Sequence, residues 1–368
     1  MARIKENEFI DILSRLPDIE ALECEKMFLE KRFDVFISAL GFEERCLVIP
    51  EKLATVKGFN SQYSVVFEYS TNTEDNAANK QRLLRAIKKF TESDRYKTFT
   101  CDDDDFTRQF REFFNTVCPS NGEFKVLLDI SVFSSKLILS VIRTLIDYDI
   151  DLKIVYSEAA IYHPTNDEFD AEPEKWTTEE GLGISIGVGK VIPSPEYPGS
   201  TRENPPFVIA FTTFKPERTK AIITHIDETI LRKPGKIIWI IGDPHMNKVD
   251  KEKRKAILRI INKIDERTIS REVCTFDYKE TIKVLDQIYK DRNLDFQIYI
   301  SALGSKMQSL GVCIFCYVRP DVTAYLALPK KYNPEKYSEG CKATWTIDFG
   351  STKKFREVLD SVGQLSIL

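Results

Sequence analysis

Two short turns in this sequence place a hydroxyl and an amine side by side. The segment Ser134–Lys136 follows an apolar run at 125–130, and Gly304–Lys306 follows an apolar run at 296–300. Each turn leads into a long apolar stretch, a pattern typical of a strand, a tight turn and a buried helix. The first N–H groups of a helix are unpaired and its dipole favours anions, so a lysine at this position indicates a phosphate-type site.

Both turns belong to a longer internal repeat. Residues of the first turn recur 170 positions later, and the pairs are Ile130 with Ile300, Ser131 with Ser301, Ser135 with Ser305, and Lys136 with Lys306. An apolar run ending in Glu44-Arg45 has a counterpart ending in Glu217-Arg218, 173 positions later. Each half also supplies further β-branched runs, which gives about five predicted strands alternating with helices.

The repeat predicts an α/β fold built from two tandem Rossmann-like units. Their strands are apolar nearly throughout, as expected for parallel sheets covered by helices on both faces. We interpret the halves as products of internal duplication, related by a pseudo-two-fold axis. Residues 33–160 should then superpose on 207–330, with Lys136 over Lys306. In such sheets ligands bind at the carboxyl ends of the strands, where the strand order reverses.

Composition shifts suggest five segments along the chain. They are a helical lead-in at 1–32, a first α/β unit at 33–192, a Pro-rich linker at 193–206, a second α/β unit at 207–349, and a C-terminal helix and tail at 350–368. Five of the sixteen prolines fall in the linker, which predicts a semi-rigid extended segment. The glycines at 181–190 match the spacing of neither common phosphate-binding motif, and their alternation with apolar residues instead predicts an added strand. Its counterpart in the second half is 344–350, and Trp176 and Trp345 enter the two segments.

Composition also limits the class of protein. The 368 residues are enough for two domains, and 42% hydrophobic with 30% charged residues is typical of a globular protein. A formal charge of −4 argues against a protein that coats extended nucleic acid. The N-terminus has no signal-peptide core and no 18-residue apolar run occurs, so we expect a cytoplasmic protein without a membrane partner.

The sequence gives no support for a metal or another cofactor. The three histidines lack ligand spacing, and Cys313 and Cys316 form a lone C-x-x-C in an apolar stretch. The eight cysteines are scattered singly, which suits reduced thiols. The aspartates at 102–105 precede a predicted helix. At such a position aspartates more often cap the helix, where its dipole favours negative charge, than bind magnesium.

We expect ligand contacts from the loops that follow the first and fourth strands of each half. The candidate residues are Ser38, Gly41, Glu44, Arg45, Ser131, Ser134, Ser135, Lys136, Thr212, Thr213, Glu217, Arg218, Ser301, Gly304, Ser305 and Lys306. The alternative is that the serines only cap helices and the lysines are solvated.

The strand, the small-residue turn with Ser-Lys, and the helix beginning Met307-Gln308-Ser309 resemble the CARF domain, the CRISPR-associated Rossmann-type sensor of cyclic oligonucleotides. Two such units in one chain resemble the SAVED arrangement. This resemblance implies that Ser135, Lys136, Ser305 and Lys306 hold phosphates, and that 38–45 and 212–218 line the pocket. The sequence departs from the pattern in the bulky Phe133 and Leu303 and in the Glu-Arg pairs, and no nuclease, helix-turn-helix or transmembrane effector follows.

The resemblance therefore implies a second-messenger sensor in prokaryotic antiviral defence, with a nucleotide ligand and a separately encoded effector. An enzyme is the first alternative. Lys136 or Lys306 would stabilise charge on phosphorus in a ring nuclease or phosphodiesterase, or Glu44 or Glu217 would act as nucleophile or base in N-glycosidic cleavage. The second alternative is a scaffold with empty crevices. The sequence leaves the ligand and any homo-oligomer open.

Overall fold

The computed structural model describes residues 13–22, 30–101, 105–119, 123–173, 185–200 and 203–365. Several predicted features lie outside these ranges, namely most of the lead-in, the aspartates at 102–104, Trp176 and the glycines at 181 and 183. Within the lead-in, Glu20–Ala21 form a short strand (β1) rather than part of a helix. This strand pairs antiparallel with the edge of the first sheet.

The first half alternates strands and helices as the apolar pattern predicts. Its strands are β2 (Arg32–Leu40), β3 (Asn60–Glu68), β4 (Tyr96–Thr100), β5 (Lys125–Asp129), β6 (Asp151–Glu158) and the short β7 (Ile161–Tyr162). Its helices are α1 (Arg45–Leu53), α2 (Thr73–Ile87), α3 (Phe106–Val117), α4 (Ser135–Ile146) and α5 (Asn166–Ala171). The last six residues of β2 are all buried, because helices cover both faces of the sheet.

The second half repeats this alternation. Strand β8 (Ser185–Pro198) comes from the end of the first half, and the strands of the second half are β9 (Pro206–Phe211), β10 (Ile237–Asp243), β11 (Ser270–Cys274), β12 (Gln297–Ser301), β13 (Thr323–Tyr332), β14 (Ser338–Glu339) and β15 (Ala343–Ser351). Its helices are α6 (Pro216–Ile226), α7 (Lys248–Ile261), α8 (Tyr278–Arg292), α9 (Lys306–Val318) and α10 (Thr352–Leu365). At Gly311 an added Cβ would lie 2.7 Å from the carbonyl oxygen of Tyr278, so glycine permits close packing of α9 on α8.

The two large sheets have the same strand order. The first contains the parallel series β4-β3-β2-β5-β6, and the second contains β11-β10-β9-β12-β13. Both are Rossmann-like. The strand order reverses between β2 and β5 in the first sheet and between β9 and β12 in the second, which are the first and fourth strands of each unit in chain order. The chain is therefore an α/β protein with two Rossmann-like units. The common order is what internal duplication requires, and the duplication itself stays a hypothesis.

Each half contributes one antiparallel strand to the sheet of the other. Strand β8, from the end of the first half, pairs with β13, and β15 pairs with β6. The predicted added strands are present within the described residues, but we expected each to end its own unit. Residues 193–198, predicted as linker, instead belong to β8. Alternation and prolines indicate extended backbone, whereas the choice of sheet edge depends on distant residues.

A shared core joins the halves. Helices α4 and α9 pack together, and Ser135 Oγ lies 2.9 Å from Ser309 Oγ across this contact. One cluster of buried apolar side chains runs from the first sheet through these helices to the second. Burial of a Leu, Ile or Val side chain stabilises the fold by roughly 1.5–3 kcal/mol. The junction is therefore part of the folding unit, and β7 and β14 pair across it as a separate two-stranded sheet.

Among the described residues, no helix has the length and apolar character needed to cross a membrane.

Candidate functional site

A cleft opens at the point where the strand order of the first sheet reverses. It encloses about 430 Å³ of space, solvent included. Its wall comes from the segments after β2, β3 and β5 and from the second half: Gly41, Phe42, Glu43, Tyr69, Thr71, Asn72, Asn76, Val132, Phe133, Ser134, Tyr332 and Tyr337. This is the position at which open parallel sheets bind ligands, and two of the predicted contact residues, Gly41 and Ser134, line it.

Aromatic side chains give the cleft flat and rigid walls. The rings of Phe42 and Tyr337 meet edge-on with centroids 5.5 Å apart, and Tyr332 lies 5.4 Å from Tyr337. Tyr69 Oη donates to the carbonyl of Val132 at 3.0 Å and accepts from the Ser134 N–H at 2.8 Å. Burial raises the pKa of Tyr69, so its hydroxyl stays protonated and able to donate. Such walls suit a flat ring, which aromatic groups hold by stacking or edge contacts.

Asn72 ties the second half to this cleft. Its Nδ2 donates to the carbonyl of Tyr332 at 2.8 Å, and its Oδ1 accepts from the Tyr332 N–H at 2.9 Å. Asn72 has a left-handed backbone with φ of 56°, a region that asparagine tolerates better than most residues. The paired bonds hold residues 332–337 over the cleft as a covering segment.

Asn76 carries an unpaired acceptor in the cleft wall. Its side chain is 4% exposed, and Nδ2 donates to the carbonyl of Thr71 at 3.0 Å. That bond fixes the amide orientation, because a carbonyl oxygen accepts only from the nitrogen. The remaining Oδ1 is buried and has no partner among the described residues. An unpaired buried acceptor costs roughly 1–3 kcal/mol, so a ligand that donates to it would recover that free energy.

Four charged side chains, Glu43, Arg45, Asp129 and Lys306, form what we call the junction cluster. Arg45 is 2% exposed; its Nη1 donates to the carbonyl of Ser157 at 2.9 Å, and its Nη2 forms an ion pair with Glu43. Glu43 also accepts from the hydroxyl of Ser338, which comes from the second half. Burial alone would lower the pKa of Arg45, but Glu43 raises it, so the guanidinium stays charged. Since Glu43 lines the cleft, the cluster and the cleft are contiguous.

Asp129 and Lys306 are the members of the junction cluster whose pKa values approach neutrality. Burial raises the pKa of Asp129 to about 7, against the opposing effects of hydrogen bonds from Ser131 and the charges of Arg45 and Lys306. Burial and the charge of Arg45 lower the pKa of Lys306 to about 8, while Glu43 and Asp129 act the other way. The net charge of the cluster therefore changes near neutral pH.

The two Ser-Lys turns do cap helices. Ser134 Oγ accepts from the Leu137 N–H at 3.3 Å at the start of α4. Ser305 forms a capping box with Gln308 at the start of α9, with bonds of 3.1 and 3.0 Å. An added Cβ at Gly304 would lie within 2.9 Å of Gln308 and Phe211, so this turn requires glycine. Capping, the alternative that the sequence left open, is thus one role of these serines.

The two lysines have different surroundings. Lys136 is not at a solvated rim: it is 6% exposed, and its Nζ lies 5.0 Å from the ring centroid of Phe106. Phe106 begins α3 and offers its ring face, a contact that contributes roughly 0.5–2 kcal/mol. Lys306 instead extends from the second half into the charged groups of the first. The pair predicted as equivalent therefore divides into a packing lysine and a junction lysine.

The Glu-Arg pairs also differ from expectation. Glu44 is 75% exposed, with Arg82 Nη1 at 3.7 Å, and it is Glu43 that enters the junction cluster. Arg218 Nε donates to the carbonyl of Ala327 at 2.9 Å, so it anchors a strand, and Glu217 lies beside it in the first turn of α6. Arg45 and Arg218 thus make the same main-chain contact, each with a carbonyl of the fifth strand of its own unit (Ser157 in β6 and Ala327 in β13), and they differ in that Arg45 also pairs with the buried Glu43.

The other predicted polar residues mostly form structural bonds. Thr212 Oγ1 donates to the carbonyl of Ile240 at 3.0 Å, Thr213 Oγ1 accepts from the Lys215 N–H at 3.0 Å, and Ser301 Oγ accepts from the Phe211 N–H at 3.0 Å. Ser131 Oγ accepts from the Ser157 N–H at 2.8 Å and donates to Asp129, which links it to the junction cluster. Ser38 Oγ is buried without a described partner.

Sequence reasoning missed several residues of the site. They are Asp129, Tyr69, Asn72, Asn76, Tyr332 and Tyr337, while Glu43 lies in the predicted range 38–45 without having been singled out. Asp129 carried a usable signal, as an acid at the carboxyl end of an otherwise apolar strand. Within the described residues, no group of three or more His, Cys, Asp or Glu side chains is arranged to hold a metal ion.

No known family matches this sequence, and no curated protein matches it. Among solved structures, the chain is similar to a Type III CRISPR defence DNA nuclease activated by cyclic oligoadenylate, with 9% identity over 83% of this chain and 67% of that one, at a TM-score of 0.48. It is also similar to a universal stress protein from Archaeoglobus fulgidus, with 12% identity over 80% of this chain and 96% of that one, at a TM-score of 0.21. Likenesses this weak carry no functional argument.

Proposed function

We propose that this protein is a sensor that binds a nucleotide-type second messenger at the junction of its two halves. The CARF-like and SAVED-like reading of the sequence suggests a cyclic oligonucleotide, a role in prokaryotic antiviral defence and a separately encoded effector. The weakly similar CRISPR nuclease is itself activated by cyclic oligoadenylate, but the proposal rests on the site.

The observation that carries the proposal is the position of Lys306. This lysine begins α9 of the second half, and it interacts with Arg45, Glu43 and Asp129 of the first half beside an open cleft. The start of α9 adds unpaired N–H groups and a dipole that favours an anion. A phosphate at this position would contact groups from both halves.

The cleft supplies the second part of a nucleotide site. Tyr69, Phe42 and Tyr337 offer aromatic surfaces for a base, and Asn72 and Asn76 supply amides at the wall. Aromatic contacts hold bases of any sequence, and amides discriminate among their edges. A ligand with a base in the cleft and a phosphate near Lys306 spans the boundary between the halves.

Binding across that boundary gives a route to signalling. A ligand shifts an equilibrium between arrangements only by its difference in affinity for them. Because Lys306 and the covering segment 332–337 come from one half and the rest of the site from the other, the ligand distinguishes closed from open arrangements. The effector would recognise the closed arrangement.

Cleavage of the ligand is the second candidate function. It is favoured by Asp129, with a pKa of about 7, and Lys306, with a pKa of about 8, since groups that titrate near neutrality suit proton transfer. Of the carboxylates, Glu43 takes the place that the sequence assigned to Glu44.

Incubation with cyclic di-, tri- and tetranucleotides, followed by chromatography of the bound and free ligand, separates these functions. A sensor retains a ligand on the protein and releases it intact. Linear products that disappear in Lys306→Ala would show an enzyme and contradict a pure sensor. Retention of none of the cyclic nucleotides would remove the proposal and favour a scaffold.

A further inference from the structure

The two halves share a strand order, yet they differ at the position of the cleft. In the first half, α2 begins after Asn72, and Asn76 is its fourth residue. In the second half, α7 begins after Asn247, and Lys251 is its fourth residue. The two helices follow the second strand of their sheets, so Asn76 and Lys251 occupy equivalent places.

These equivalent residues are paired differently. Lys251 forms an ion pair with Asp243 at the end of β10, so its charge is matched within its own half. The Oδ1 atom of Asn76 is buried and has no partner among the described residues. An acceptor left unpaired in this way is stabilised by a ligand donor, whereas Lys251 is already neutralised.

The covering segments differ as well. Over the first half, residues 332–337 leave the cleft of about 430 Å³. Over the second half, α5 packs on α7: Asn166 Nδ2 donates to Asp250 Oδ1 at 3.1 Å, Asp170 pairs with Lys253, and Phe169 contacts the apolar cluster of Ile257 and Ile261.

The loop after the first strand of the second half is covered too. Phe214, in that loop, stacks under the guanidinium of Arg254 with 4.4 Å between Cζ and the ring centroid. Arg254 in turn donates to the carbonyl of Pro164, in the segment leading to α5. Phe214, Arg254 and the segment that leads into α5 therefore cover the position in the second half that corresponds to the open cleft of the first half.

We infer that the protein binds one nucleobase per chain, in the first-half cleft only, and that the base carries an exocyclic amino group that donates to Asn76 Oδ1. This inference rests on the proposed function and specifies its ligand and stoichiometry. An oxo group at the same position could not donate to Asn76 Oδ1, and its lone pairs would repel those of that oxygen. Since Oδ1 is shielded from water, the base reaches it when the covering segment, held by Asn72, moves.

Calorimetric titration with two matched pairs of cyclic dinucleotides tests this inference. The first pair carries adenine or hypoxanthine, and the second carries cytosine or uracil; within each pair an amino group is exchanged for an oxo group. We expect at least one amino-bearing ligand to bind tenfold or more tightly than its partner, with one ligand per chain. Asn76→Ala should remove that preference, and Lys251→Ala, the matched change in the second half, should leave it.

Each other outcome decides against the inference. Equal affinity within both pairs, two ligands per chain, or a preference that survives in Asn76→Ala overturns the inference while nucleotide binding stands. Absence of binding for all four ligands also overturns the inference, and the proposed function falls with it if the cyclic tri- and tetranucleotides are not retained either. Since the comparison of amino and oxo ligands uses the unaltered protein, it remains decisive if Asn76→Ala fails to fold.

Discussion

Asp129 shows how a single buried side chain sets the chemistry of the site. It is 2% exposed, and the hydrogen bonds from Ser131 lower its pKa less than burial raises it. Lys306 has the opposite shift, since burial and Arg45 lower its pKa to about 8. An approaching anion would favour the protonated form of both groups. We therefore expect ligand binding to be accompanied by proton uptake near neutral pH.

The raised pKa of Asp129 makes the stability of the protein depend on pH. Because the folded-state pKa of about 7 exceeds the ordinary value of 3.8, the folded state binds more protons than the unfolded state between these values. The free energy of unfolding contributed by this group therefore falls as pH rises from about 4 to 7. Asp129→Asn should reduce that fall, as measured by chemical denaturation at pH 5, 6, 7 and 8.

Asp348→Asn is the control, because that carboxylate is 55% exposed. It should follow the wild-type dependence on pH. Parallel curves for Asp129→Asn and the wild type would show that Asp129 is ionised throughout this range.

At the scale of elements, the parallel strands and helices of each unit could be predicted because apolar runs and capping residues are local signals. It was harder to predict which side chains of the loops turn inward. α1 begins at Arg45, which leaves Glu44 at the exposed cap position and turns Glu43 inward. A shift of one residue thus exchanges the carboxylate that enters the site. Lys136 likewise packs on the ring of Phe106, which belongs to a different helix. The sequence repeat alone therefore could not show that Lys136 and Lys306 have different surroundings.

Asn72 provides a test of the covering segment. Asn72→Gly keeps the left-handed backbone accessible but removes both bonds to Tyr332. We expect a loss of roughly 1–3 kcal/mol in the free energy of unfolding. We also expect faster amide hydrogen exchange in residues 332–337, measured by mass spectrometry.

Asn247→Gly is the matched control, since Asn247 caps α7 and bonds to the Asp250 N–H rather than to the covering segment. It should leave exchange in residues 332–337 unchanged. Equal exchange in the two variants would mean that Asn72 does not hold the segment.

At the scale of the whole molecule, the halves are joined by strand exchange and by a common core. β8 lies in the second sheet and β15 in the first, and α4 packs on α9 between them. The sequence predicted two Rossmann-like units and their repeat, but not this exchange, because strand pairing partners are set by contacts far apart in the chain. In this joined arrangement, Lys306 and Ser338 of one half lie against Arg45 and Glu43 of the other.

The most direct test of a ligand site at this junction is calorimetric titration of the wild type, Lys306→Ala and Lys136→Ala with a cyclic nucleotide that the protein retains. A charge-assisted hydrogen bond from Lys306 to a phosphate contributes roughly 1.5–3 kcal/mol, so Lys306→Ala should weaken binding by about 10- to 150-fold. Lys136→Ala should leave the affinity unchanged, since Lys136 packs on Phe106. Unchanged affinity in Lys306→Ala, or an equal loss in both variants, would contradict the account.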